Sequence, residues 1–143
     1  MASGLYISSL ADVLGTAQLA LDWEAETHQW ALYSTTRVPD YNSDTTYTAT
    51  GEIVGTGYTA RGKVVTGTAL SKPGAGVLKY STDAVQWPGS TLTGVRMVDM
   101  FAEAVAGDPL MLGVDLGTAY NTSDGSLLVT PHALGLLTID GTP

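Results

Sequence analysis

The sequence predicts an all-β protein, a mainly antiparallel β-sandwich or barrel with one short helix near its N-terminus. Short apolar segments rich in β-branched residues recur at a spacing of roughly 8–12 residues, which is typical of such folds. Turn sequences such as KPGAG, WPGS, AGDP and NTSDG separate these segments. Since no internal repeat or linker interrupts the pattern, we expect residues 1–143 to form a single β-rich domain.

The first predicted elements are a helix and two strands. Residues 4–14 place apolar side chains at helical spacing behind Ser3, which predicts a helix with a serine N-cap. Residues 17–23 alternate between apolar and other residues and predict a strand, and residues 28–35 predict a buried one. Residues 45–54 could contain a helical turn.

The rest of the chain is predicted to be strand and turn. The Asp-Gly pair at 123–126 suits a tight hairpin. The remaining predicted strands are residues 60–70, 75–81, 91–101, 109–116, 126–131 and 134–139.

Charge and composition disfavour several classes of partner. The chain has six basic and 14 acidic residues, for a net charge of −8. Because the basic residues are scattered singly along the sequence, we expect no direct nucleic-acid binding. No segment approaches the ~20 apolar residues of a membrane span, and the N-terminal segment lacks the basic residues of a signal peptide. Only 14% of residues are charged, against about 25% in a typical domain. This favours a surface partly covered by another chain.

Residues 57–64, GYTARGKV, nearly match a phosphate-binding loop. Gly57, Gly62 and Lys63 fit the pattern, but Val64 stands where a Mg²⁺-binding hydroxyl is needed. The following VVTGTAL favours a strand, whereas the motif requires a helix. We interpret the segment as a loop that enters a strand, and we expect no nucleotide cofactor.

Four potential metal ligands lie two residues apart in DWEAETH: Asp22, Glu24, Glu26 and His28. On a strand they would share one face and could offer oxygen-rich coordination to a divalent cation. A strand would also spread them over ~20 Å, too far for one ion. We therefore interpret them as a solvated surface feature and expect no metal site.

The sequence shows no recognisable combination of catalytic residues. His132 has no nucleophile at a recognisable spacing, and there is no cysteine in the chain. Asp99 and Glu103 could form a carboxylate pair but are expected to be exposed at a strand end. The acceptor pattern for N-glycosylation at residues 121–123 carries no weight in a chain without a signal peptide. The sequence therefore indicates a protein that is not an enzyme.

The three tryptophans, Trp23, Trp30 and Trp87, stand in or next to apolar strands. We expect them to anchor the core, because large aromatic side chains dominate core energetics. The alternative is an exposed platform on which sugars or bases stack.

Four longer segments carry a resemblance to a known family. TGEIVGTGYTARGKVV is similar to a segment of the NEVSGTGYTAGGVTL type, and LDWEAETHQWALYST to an acidic turn followed by a strand ending in ALxTS. DAVQWPGSTLTGVRMV matches a D-x-V-x-W-x-x-S-T-I-T pattern at Asp83, Val85, Trp87, Ser90, Thr91 and Thr93. PLMLGVDLGTAYNTSDGSLLVTPHALGLLTI is similar to a C-terminal hairpin, PLIAYIDFG…NGTFTI…GILTI. In this order the chain resembles a family of small virion proteins of tailed double-stranded-DNA phages, over most of residues 5–139; Arg61 departs from the usual GTGYTAGG.

The resemblance implies a structural protein of the virion, a head decoration or minor capsid component. Such a protein would bind the major capsid protein outside the assembled head and stabilise it, after synthesis in the host cytoplasm. Symmetric self-association is the default for such parts, and we expect a homotrimer, with a homodimer as the alternative. The rival interpretations are a tail or head–tail joining component and a carbohydrate-binding β-sandwich module.

Overall fold

A computed structural model describes residues 1–25 and 27–142, and in these residues it contains ten strands and one helix. In chain order they are β1 (Gly4–Leu5), α1 (Ile7–Leu14), β2 (His28–Tyr33), β3 (Lys63–Val64), β4 (Ala69–Gly74), β5 (Val77–Ser81), β6 (Val85–Ser90), β7 (Val95–Ala102), β8 (Leu110–Tyr120), β9 (Gly125–Val129) and β10 (Leu137–Asp140). The predicted all-β class with a short N-terminal helix is confirmed.

The strands form three open antiparallel sheets. The largest has five strands in the order β1-β8-β7-β2-β3, and the others have the orders β10-β5-β4 and β6-β9. In the large sheet Trp30 lies opposite Met100, and Val98 lies opposite Val114. The large sheet has free edges at β1 and β3, so it is not closed into a barrel.

The large sheet is buried on both faces. On one face Trp30, Leu32 and Met100 share a core cluster with Tyr80 of β5 and Trp87 of β6, which places the two small sheets against this face. On the other face a second cluster contains the alternate residues, Ala31, Tyr33, Met97 and Phe101, together with Tyr6 and Leu110. Burial on both sides explains why residues 30–33 of β2 form an unbroken apolar segment.

The N-terminal helix is shorter than predicted. It begins at Ile7, because Gly4 and Leu5 form β1 and pair with Gly113 and Leu112 of β8. The side chain of Ser3 does not cap the helix; its Oγ accepts a hydrogen bond from the backbone N–H of Asp115 at 2.9 Å. The pairing of β1 with β8 has therefore replaced the expected first turn of the helix.

Two predictions in the first half of the chain are wrong. Residues 17–23 form turns and irregular backbone, since their alternating apolar side chains anchor the core without a partner strand. Residues 45–54 contain no helical turn: Thr46 and Glu52 make isolated bridges with Pro109 and Tyr33. Sequence periodicity cannot show whether a partner strand is available.

The strand pairings near the C-terminus also differ from those predicted. WPGS, interpreted as a turn, lies in β6, whose register shifts between Trp87 and Ser90. Strand β9 pairs with β6, and β10 pairs with β5, so the SDGS segment closes no hairpin between neighbouring strands. The predicted strand at 60–70 is divided between β3 and the start of β4.

We predict that Gly62→Ala destabilises the protein by about 3 kcal/mol or more. Gly62 has a φ of +81°, and a Cβ there would lie 1.6 Å from the carbonyl oxygen of Trp30. Gly94→Ala is the matched control, because Gly94 has a φ of +72° but no atom within 4 Å of its Cβ position. Left-handed strain alone costs about 1 kcal/mol, and forced overpacking adds roughly 1–3 kcal/mol. Urea unfolding measures both, and equal losses would contradict the described contact between the 57–62 turn and β2.

Candidate functional site

An apolar groove lies between α1 and the three-stranded sheet. Its cavity has a volume of about 170 Å³. Nine apolar or aromatic residues line it: Leu5, Leu10, Val13, Trp23, Leu70, Leu78, Tyr80, Leu137 and Ile139. No charged residue is among them.

Strand register places five of these side chains on one sheet face. Tyr80 of β5 pairs with both Leu137 of β10 and Leu70 of β4, and Leu78 pairs with Ile139. Side chains two apart on a strand point to the same face. The groove floor is therefore built by alternation in the neighbouring strands β4 and β5 and in β10, which is remote from them in sequence.

Helix α1 forms the opposite wall and is also apolar on its outer side. Leu10 and Val13 line the groove. Ile7 is 48% exposed and Leu14 is 77% exposed. With Ala11, also exposed, these two residues form an outer stripe at i, i+4 and i+7 spacing. The helix thus presents an uncovered apolar stripe beside an uncovered apolar groove.

A buried polar network fixes the start of α1. The Tyr6 hydroxyl, immediately before the helix, donates to Asp99 Oδ2 at 2.9 Å. Arg37 donates from Nε to the same oxygen at 3.3 Å and from a terminal nitrogen to the Tyr6 hydroxyl at 3.0 Å. Its other terminal nitrogen pairs with Asp44 at 2.8 Å.

The prediction that Asp99 is exposed is wrong. Asp99 is fully buried in the middle of β7, and its Oδ1 atom has no hydrogen-bond partner among the described residues. Burial raises the pKa of its carboxyl group, while Arg37 and the Tyr6 hydroxyl act in the opposite direction. Burial and the neighbouring Asp99 carboxyl both raise the pKa of Tyr6, so its hydroxyl stays protonated and donates.

Glu103 is exposed, as predicted, but does not form a pair with Asp99. It accepts hydrogen bonds from Gln29 Nε2 at 2.6 Å and from Arg61 Nε at 3.1 Å. The two carboxylates therefore have different partners and environments. The arrangement does not provide the close carboxylate pair that acid–base catalysis would use.

The turn containing Arg61 is fastened to the large sheet by a cluster that the sequence did not reveal. Glu52 accepts hydrogen bonds from the hydroxyls of Tyr47 and Tyr58, each at 2.5 Å, and from the Arg61 backbone N–H at 2.6 Å. The Arg61 guanidinium lies 4.6 Å from the centroid of the Tyr47 ring and 4.9 Å from that of Phe101. Arg61, which departs from the phage-family segment, thus has a structural role here.

The near phosphate-loop segment enters a strand, as interpreted. Lys63 is the first residue of β3, and no helix follows it in the described part of the chain. Its Nζ donates to the backbone carbonyl of Gln86 at 2.7 Å. The helix N-terminus that would bind phosphate in such a motif is not built at this position.

The acidic segment 22–28 is only partly a surface feature. Asp22 and Glu24 are exposed, but His28 is buried, so the surface interpretation is wrong for the histidine. Glu26 lies outside the described residues. Among the residues that are described, no group of three His, Asp or Glu side chains is placed to hold a metal ion.

The tryptophan prediction is confirmed for two residues. Trp30 is 3% exposed and Trp87 is 1% exposed. Trp23 is half-buried and meets the Tyr80 ring edge-on, with centroids 5.1 Å apart. Trp30 and Trp87 therefore offer no open ring face on which a sugar could stack.

Two further candidate residues have local roles. His132 is exposed, and its Nδ1 accepts a hydrogen bond from the backbone N–H of Leu134 at 3.1 Å. Asn121, in the glycosylation pattern, accepts one from the backbone N–H of Gly94 at 2.7 Å. The first contact is within a local turn, and the second joins the segment before β7 to the segment after β8.

No protein-family model, curated protein or solved structure matches the chain. In the described part of the chain, no helix has the length and apolarity needed to cross a membrane. Function is therefore inferred from the geometry above, together with the sequence resemblance.

We predict that Asp99→Ala destabilises the protein by about 3–5 kcal/mol, because it leaves Arg37 and the Tyr6 hydroxyl buried without their shared partner. Glu103→Gln is the control. Since Glu103 is exposed, its replacement should change stability by less than about 0.5 kcal/mol. Thermal and urea unfolding measure both variants. A loss for Asp99→Ala no larger than the control's would mean that the network does not stabilise the fold.

We predict that Lys63 binds no nucleotide. Calorimetric titration with ATP or GTP in the presence of Mg²⁺ should give no dissociation constant tighter than about 1 mM. That limit is equivalent to roughly 4 kcal/mol of binding free energy. A micromolar affinity that disappears in Lys63→Met would contradict the structural interpretation of this loop.

Proposed function

We propose that the protein is a non-enzymatic structural component of a tailed-phage particle, which binds the outside of the assembled head and stabilises it. The apolar groove beside the outer stripe of α1 is the observation that carries the proposal. In this proposal the groove and the stripe contact the major capsid protein. The ordered resemblance to phage virion proteins supports the same role.

The chemistry of the groove suits attachment to a protein surface. A cavity of about 150 Å³ lined by apolar side chains binds a benzene-sized group, so this groove of about 170 Å³ can take one large apolar side chain. Apolar surface of this kind is costly in water unless a neighbour covers it. The low content of charged residues is consistent with a partly covered surface.

Self-association strengthens such an attachment. One groove that takes one side chain provides a small interface, and small interfaces are often weak. A symmetric trimer, or a dimer, presents several grooves to a shell of repeated subunits. Linked contacts can raise avidity by about 10²–10⁴-fold without any new type of contact.

The rival functions differ in their support. A tail or head–tail joining component would also fit the resemblance, and copy number separates it: a joint needs about a dozen copies or fewer, whereas decoration needs hundreds. The carbohydrate-binding module is disfavoured because Trp30 and Trp87 are buried and Trp23 packs on Tyr80. An arrangement of exposed aromatic rings, the usual basis for sugar stacking, is not built from these tryptophans.

Groove variants test the proposal with assembled heads that lack the protein. We expect Leu70→Asp and Ile139→Asp, at positions 37% and 38% exposed, to fold but to bind heads at least about tenfold more weakly, a loss of roughly 1.4 kcal/mol. Val54→Asp is the matched control, since Val54 is 94% exposed and does not line the groove. Co-sedimentation of protein with heads gives the affinities.

Deletion of the gene from the phage, with mass spectrometry of purified particles, gives the role and the copy number. The proposal expects particles that form but rupture at lower temperature. Absence of the protein from wild-type virions would refute it, and so would groove variants that bind heads as well as Val54→Asp does. A deletion that blocks head assembly or tail joining outright would favour the joining role.

A further inference from the structure

Residues 15–25, named here the strap, connect α1 to the region before β2 without helix or strand. Leu21 is buried in the main core cluster, and Trp23 packs against that cluster. Trp23 also lines the apolar groove. The strap therefore closes one side of the groove.

Three hydrogen bonds between described residues hold the strap to the body of the protein. The backbone N–H of Leu70 donates to Glu24 Oε1 at 3.0 Å, and Thr68 Oγ1 donates to the Glu24 carbonyl at 2.5 Å. These two bonds are exposed to solvent. The third joins His28 Nε2 to the Asp22 carbonyl at 2.7 Å, and the His28 side of it is buried.

The bond from His28 fixes the tautomer of its neutral ring. Because a carbonyl oxygen only accepts, Nε2 carries the proton and donates, which leaves Nδ1 as the unprotonated nitrogen of a neutral ring. Nδ1 is buried and has no partner among the described residues. A second proton would therefore create a buried N–H⁺ for which the described residues supply no hydrogen-bond acceptor, which is unfavourable.

Few charges can compensate a charged imidazole at this position. Among the described carboxylates, Asp22 on the strap is the one whose charge acts on it. On the neighbouring elements, His28 faces Ala102 of β7, and its carbonyl accepts from the Val65 N–H that follows β3. The charged residues next along these elements bond elsewhere: Glu103 to Gln29 and Arg61, and Lys63 to Gln86.

We propose that His28 is an acid-sensitive latch: protonation of its imidazole releases the strap and opens the apolar groove. This inference concerns the fold itself and goes beyond the proposed virion role. It does not require a capsid.

The direction of the pH effect follows from burial. Burial lowers the pKa of His28 in the closed form below its usual value of 6.5, and the Asp22 carbonyl and carboxylate and the Trp23 carbonyl only partly oppose this. In an open form the ring regains water and an ordinary pKa. The closed form is thus fully favoured above about pH 6.5 and loses stability as pH falls towards the lowered pKa, by up to about tenfold in population per pH unit.

Hydrogen exchange of the isolated protein tests the latch. His132→Gln is the working background, because the chain has two histidines and this change leaves His28 as the only imidazole. After correction for intrinsic exchange rates, we expect protection of the strap amides to fall by about tenfold between about pH 7.5 and pH 5.5, while β7 and β8 stay protected. Carboxyl groups ordinarily titrate near about pH 4, outside this window.

His28→Gln separates the latch from other causes. A glutamine amide can still donate to the Asp22 carbonyl but cannot gain a proton, so strap protection should become independent of pH. If this variant does not fold, a nuclear magnetic resonance titration of His28 in the His132→Gln background decides the same point: its midpoint must coincide with strap opening. Unchanged strap protection at the two pH values, or equal pH dependence in a folded His28→Gln variant, would overturn the proposal.

Discussion

The buried carboxyl group of Asp99 is the interaction on which the rest of the structure depends. Its Oδ2 atom joins Tyr6, which lies 93 residues away in sequence, and Arg37, which lies 62 residues away. A carboxyl group in the middle of β7 is unfavourable unless such donors surround it. The network therefore fastens the start of α1 and the loop after β2 to one face of the large sheet.

The position of α1 in turn defines the apolar groove. Tyr6 immediately precedes the helix, and Leu10 and Val13 one and two turns later form one wall of the groove. The floor comes from the small sheet of β4, β5 and β10, and Trp23 of the strap closes one side. The N-terminal α1 and strap thus meet a sheet that is remote from them in sequence to form one apolar surface, and both α1 and the strap are held in place by polar contacts.

Sequence patterns predicted the elements whose burial leaves a local signal. Strand β2 was predicted because its apolar run is buried on both faces, and the loop before Lys63 because glycines and β-branched residues favour a turn that enters a strand. The irregular segment 17–23 was mistaken for a strand, since core anchors such as Leu19 and Leu21 alternate whether or not a partner strand exists. Strand β6 was missed because Pro88 and Gly89 are typical of turns.

The candidate site was less predictable, because its key residues act through partners that are remote in sequence. Asp99 in an apolar strand gives no sign that Arg37 will neutralise it, and a charged residue is most often exposed. His28 was grouped with three carboxylates by spacing alone, although its ring turns into the core. The groove itself depends on the pairing of β10 with β5, which are remote in sequence and which no turn sequence indicated as partners.

The most direct test of the virion role is a three-dimensional reconstruction of assembled heads that carry the protein, at a resolution sufficient to place the fold. The account predicts density on the outer surface of the shell, in symmetric clusters, with α1 and the apolar groove facing the capsid subunits. Bound protein with the groove turned towards solvent would contradict the proposed docking surface, and heads without bound protein would contradict the virion role.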